Sequence, residues 1–154
     1  MTALKAPLLV LVTSKNGRKR LIVETRTGDS ISTSLRRVFT RELSSFELID
    51  AAGNYFPAAR GKLVGVDWKT ESMGGMLMPL TLPIRALLLG LRVRLEIDPG
   101  PQHTLLSLDE IRTKVIDAIM ANPRIYTWAP PQEIAGRLRR ARSVESLINS
   151  IYKD

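Results

Sequence analysis

A chain of 154 residues with no cysteine, one histidine (His103) and a net charge of +8 lacks most of the groups that enzymes use for covalent chemistry. Thiol nucleophiles, disulfide staples and thiolate metal sites are excluded, and a metal cage or serine relay would rest on His103 alone. The length suits one domain, 44% hydrophobic residues suffice for a folded core, and 23 Lys and Arg against 15 Asp and Glu favour an acidic partner.

Residues 8–12 (Leu-Leu-Val-Leu-Val) form an apolar run that suits a strand buried on both faces and is too short for the core of a signal peptide. Asn16-Gly17 then marks a turn, and residues 20–26 alternate with Leu21 and Val23 on one face, so the chain opens on a β-hairpin. Asp29 or Ser30 can cap a helix over 30–43, whose apolar stripe is Ile31, Leu35, Val38, Phe39 and Leu43. Short strands are expected across 46–68, with Val64, Val66 and Trp68 on one face and Pro57 at an edge or strand end.

Residues 69–83 read as a long apolar loop with Gly74-Gly75 and the methionines Met73, Met76 and Met78, followed by a short helix stopped by Gly90. Pro79, Pro83 and Arg85 interrupt this apolar stretch, so no membrane span is expected and the cytoplasm is the expected compartment. Residues 91–97 alternate Leu91, Val93, Leu95 and Ile97 with Arg92, Arg94 and Glu96, the pattern of a half-buried strand. The last third is helical: Ser107 and Glu110 make a capping box for 107–121, Pro130-Pro131 opens a second helix, and Ser143 starts a third.

These elements predict an α+β domain over 1–154, sheet-rich to residue 105 and helical from 106. Its mixed or antiparallel sheet opens with the hairpin and carries the 30–43 helix on one face. The expected core is Leu9, Val10, Val12, Leu21, Val23, Leu35, Val38, Phe39, Val64, Val66, Val93, Leu95, Ile111, Val115, Ile119, Leu138 and Leu147.

For function, no carboxylate spacing matches a metal loop and no glycine pattern matches a phosphate cradle, so no cofactor, metal or catalytic residue is expected. A non-enzymatic protein that docks an acidic protein partner, as an inhibitor, immunity-type protein or adaptor does, fits best. Its contacts would come from Lys15, Arg18, Lys19 and Arg20 at the hairpin tip, from Met76, Leu77 and Met78, and from Arg92 and Arg94. The alternative is nucleic-acid binding, with Arg137, Arg139 and Arg140 joining the hairpin tip on phosphates; this requires both on one side of the fold. Base stacking is disfavoured because aromatics are few. A remoter alternative is metal-free phosphodiester cleavage by His103, with Glu96 as acid and Arg92 or Arg94 on the phosphate.

Overall fold

Strand β1 (Leu8–Thr13) is buried from Leu8 to Val12 and organises two cores at once. Leu9 and Leu11 point to one cluster, and Leu8, Val10 and Val12 to another. A strand sends successive side chains to opposite faces, so an uninterrupted apolar run requires cover on both. The computed structural model describes residues 4–13, 17–24, 30–41, 43–67, 90–123 and 129–151.

The hairpin partner β2 (Lys19–Glu24) pairs antiparallel with β1, Leu11 opposite Leu21. Next comes β3 (Ser30–Ser34), followed directly by the short helix α1 (Leu35–Phe39). Strands β4 (Phe46–Ile49), β5 (Asn54–Val66), β6 (Arg92–Asp98) and β7 (Thr104–Leu105) follow. The order across the sheet is β2-β1-β4-β5-β6-β3, every described pairing is antiparallel, and β7 joins the start of β5. The first half of β5 pairs with β4, the second half with β6. The sheet curls through β5, so Ile31, Leu95 and Ile97 share a cluster with Leu8, Val10, Val12 and Leu48.

Helices cover the other face. Helix α2 (Leu108–Ala121) has the predicted capping box: Ser107 N–H donates to Glu110 Oε2 at 2.7 Å, and Glu110 N–H donates to Ser107 Oγ at 3.3 Å. Helix α3 (Pro131–Arg140) starts with proline in its first turn, where no amide partner is needed. Helix α4 (Val144–Ser150) is capped by Ser143 and Ser146 reciprocally. Ile111, Val115, Ile119, Ile134, Leu138, Leu147 and Ile148 meet Leu9, Leu11, Leu21 and Ile49 beneath them. Among the described residues no helix is long and apolar enough to cross a membrane.

The α+β class, the hairpin and the helical last third are as the sequence predicts. Three local expectations are corrected. Residues 30–34 are strand, with Ile31 and Thr33 buried and Ser30, Ser32 and Ser34 on the opposite face; only 35–39 are helical. Two β-branched residues alternating with serine suit a strand better than a helix interior. Phe39 is 67% exposed because the helix ends after it and Arg41 turns the chain at φ 57°. Val64 is 54% exposed because β5 slips register against β6 between Leu63 and Gly65, which sends Val66 inward opposite Val93 and leaves Val64 out. Pro57 falls in a second irregularity, between the pairings Phe46–Ala59 and Leu48–Phe56. Trp68, the expected loop over 69–83 and the expected helix before Gly90 lie outside the described residues.

Candidate functional site

Helix α2 separates the two cationic groups that a shared phosphate surface would need. At its C-terminal end Asn122 Nδ2 donates to the carbonyl of Lys19, where the hairpin loop returns into β2. Toward its N-terminal end Arg112 Nε donates to Leu138 O at 3.1 Å, and its Nη2 to Ala141 O at 2.9 Å, satisfying carbonyls at the end of α3. The fourteen residues of α2 span about 20 Å. Lys19 and Arg20 therefore sit at one end of α2, and Arg137, Arg139 and Arg140 at the other. Lys15 lies outside the described residues, as do Met76, Leu77 and Met78; Arg18 is exposed. Arg139 and Arg140 are exposed, whereas Arg137 is largely covered and donates to Glu133 at 2.8 Å.

Arg92, Arg94, Glu96 and Asp98 share the outer face of β6. Arg92 is half-buried and donates through Nη2 to Ser32 O at 3.0 Å and to Ser32 Oγ at 3.2 Å. Arg94 is exposed, with Lys62 opposite Glu96 and Arg60 opposite Asp98 on β5. His103 lies beyond the strand end and is exposed, its ring 5.5 Å from that of the buried Phe56. Where β6 leaves β5, a cleft of about 320 Å³ opens between Ala58 and Arg60 on one side and the Asp98–Gln102 turn on the other. Asp98 Oδ1 accepts from Gly100 N–H at 3.0 Å and so shapes that turn. Among the described residues no three His, Asp or Glu side chains gather as a metal set would.

A cluster that the sequence analysis did not single out lies between α2 and the sheet. Glu47 accepts from Lys19 Nζ, from Lys114 Nζ at 3.1 Å and from the Tyr55 hydroxyl at 3.0 Å. Burial alone would raise the Glu47 pKa, but these three hydrogen bonds and the Lys114 charge outweigh it and hold the carboxyl below its ordinary value. Burial and the adjacent carboxylate push the Tyr55 hydroxyl up to about 12. Neither group is tuned to exchange a proton near neutrality, so the cluster is suited to joining elements and unsuited to acid–base work. Its one sequence signal was a glutamate between apolar Phe46 and Leu48.

The corner around α1 carries the most exposed aromatic ring of the described chain. Phe39 stands between Arg36 and Arg41, both exposed, and among the described residues neither arginine makes an ion pair or side-chain hydrogen bond. The segment is held at both ends: Leu35 N–H donates to Leu91 O at 2.8 Å, and Gly61 N–H donates to Leu43 O at 3.1 Å. Leu63, 46% exposed, lies opposite Leu95 and two positions beyond Gly61 on the same strand face, whereas Val64 lies on the other face. Helical periodicity concealed this corner by assigning Phe39 to the core.

No family model matches the chain, and neither a curated protein nor a solved structure matches it.

Proposed function

We propose that the chain is a cytoplasmic, non-enzymatic binding protein that docks an acidic protein partner. The observation that carries this reading is a set of exposed arginines with no ion pair among the described residues: Arg36, Arg41, Arg94, Arg139 and Arg140. A folded chain that neutralises Glu47 with two lysines, yet leaves these five cations in solvent, presents them to something outside itself. Exposed apolar side chains beside some of them add the anchor that a protein interface needs. The separation of the two cationic groups by the length of α2 weighs against one phosphate surface spanning both.

The test is affinity capture with the full chain before and after nuclease treatment. A protein retained after nuclease and released by moderate salt supports the reading. Recovery of nucleic acid alone, with no protein surviving nuclease, overturns it.

A further inference from the structure

We infer that the free edge of β7 is a self-association site, where two copies of the chain pair their β7 strands antiparallel about a two-fold axis at Thr104. This goes beyond the reading above and does not depend on it. Strand β7 pairs with the start of β5 on one side, and among the described residues no strand lies on its other side. Leu106 N–H donates to Gly53 O at 3.0 Å, in the same register that sets Leu105 opposite Asn54 and Thr104 opposite Tyr55. Antiparallel pairs alternate between bonded and non-bonded, so Thr104 and Leu106 turn their backbone groups to β5, and His103 and Leu105 turn theirs outward. The ring contact of His103 with Phe56 falls where this register continues. Among the described residues neither His103 nor Leu105 makes a hydrogen bond through those outward groups. Residues 101–105 are all exposed, Leu105 at 74%. With no lysine or proline at the two outward positions, this edge is a template for another strand.

A second copy is the occupant that matches this edge. Pro101 has no N–H to offer at one end. At the other end the Ser107 amide donates to Glu110 Oε2, and its carbonyl accepts from Ile111 N–H. The edge therefore offers both groups at two positions, His103 and Leu105. About an axis at Thr104, His103 of each copy faces Leu105 of the other, and N–H···O bonds use every outward group of both residues in both copies. Pro101 then falls opposite the engaged Ser107, so the two ends that cannot pair meet each other. A longer foreign strand would instead set its own amides against Pro101 and Ser107 without partners. The same register lays each Leu105 side chain beside the His103 ring of the other copy, which removes apolar surface from water. Residues 101–105 contain no Asp, Glu, Lys or Arg, so charge attraction does not hold the pair together, while each whole chain carries +8.

Sedimentation velocity on the full chain, from about 10 µM to about 1 mM, tests this over the range where a small interface exchanges. The expected result is a monomer–dimer equilibrium that tightens as salt rises from about 50 mM to about 500 mM, because screening relieves the repulsion between two cationic copies. Leu105→Pro removes an outward N–H and no bond to β5, and should raise the dissociation constant about tenfold or more. Slow hydrogen exchange at the Leu106 amide verifies that β7 of this variant still pairs with β5. Met120→Gln, at an exposed apolar position on α2, should change the constant less than about twofold. The chain has no cysteine, so Thr104→Cys is a register probe. Its two Cα atoms would lie about 4.5 Å apart across the axis and should close a disulfide in oxidised glutathione. Gln102→Cys, about 14 Å from its mate, should cross-link at least about tenfold more slowly. A chain that stays monomeric to about 1 mM overturns the inference and leaves the edge to a foreign strand. Dimers that ignore Leu105→Pro, that weaken with salt, or that cross-link equally through Gln102→Cys place the interface elsewhere and overturn it too. If Leu105→Pro loses the Leu106 protection, the two cross-linking rates decide.

Discussion

Lys114 lies over the ring of Tyr55, its Nζ 4.7 Å from the centroid, while the same ammonium donates to Glu47. One lysine from α2 thus meets β4 and β5 together, and Lys19 adds the hairpin through the same carboxylate. The charge pattern of these elements serves the fold before it serves a partner.

That arrangement contributes to the acid limb of stability. Burial pushes the Glu47 pKa up, but the hydrogen bonds from Lys19, Lys114 and Tyr55 prevail, so the folded value lies below the unfolded value of 4.5. A depressed folded pKa gives stability that is present above the unfolded value and lost as pH falls through the folded one. Urea unfolding of Glu47→Gln should show a loss of about 1–2 kcal/mol at pH 7 and a flatter decline below pH 4.5. Parallel decline in both proteins would place the acid sensitivity elsewhere.

Two phenylalanines should respond in opposite ways. Phe56 is 1% exposed among the residues beneath the curled sheet, and Phe56→Ala should cost about 3–5 kcal/mol. Phe39→Ala should stay within about 0.5 kcal/mol, since its ring is mostly in solvent. Thermal unfolding of the two variants decides it, and a cost of several kcal/mol for Phe39→Ala would mean that the ring is packed.

The difference between these rings shows which signals the sequence carried. Burial on both faces of β1, alternation in β6 and the capping box of α2 are local patterns, and each appears where the residues place it. Ile31, Leu35, Val38 and Phe39 also satisfy helical spacing, but Ile31 and Thr33 alternate equally well, and pairing with β6 decides between them. Val64 fails for a similar reason, because a one-residue slip against β6 reverses its face and depends on the partner strand. The Glu47 cluster draws residues from β2, β4, β5 and α2, a convergence that no window of sequence displays.

Asp50 should be indispensable to the turn between β4 and β5. It is fully buried, Oδ1 accepts from the amides of Ala52 and Asn54 at 2.9 Å each, and Oδ2 accepts from Asn54 Nδ2 at 3.0 Å. Asp50→Ala leaves those donors without their acceptor and should cost about 3 kcal/mol. Asp50→Asn should recover only part, because its amide nitrogen presents hydrogens to the donor on Asn54. Equal denaturation midpoints for Asp50→Asn and the parent chain would refute this account.

Gly53 and Gly17 provide a matched comparison in which backbone strain is shared and space is not. Both adopt positive φ, 88° and 76°, so alanine at either position is strained by about 1–2 kcal/mol. A Cβ on Gly17 meets nothing within 4 Å, whereas on Gly53 it would lie 3.3 Å from Leu106 O and 3.6 Å from Leu105 Cδ1. The Leu106 carbonyl cannot easily retreat, because the Leu106 amide donates to Gly53 O at 3.0 Å and ties the two segments together. Gly53→Ala should therefore cost about 1 kcal/mol more than Gly17→Ala and loosen the pairing of β7 with β5. Hydrogen exchange at the Leu106 amide is the direct readout: it should accelerate in Gly53→Ala and stay unchanged in Gly17→Ala. Protection that survives Gly53→Ala would mean that β5 and β7 can separate by a few tenths of an ångström without losing their register.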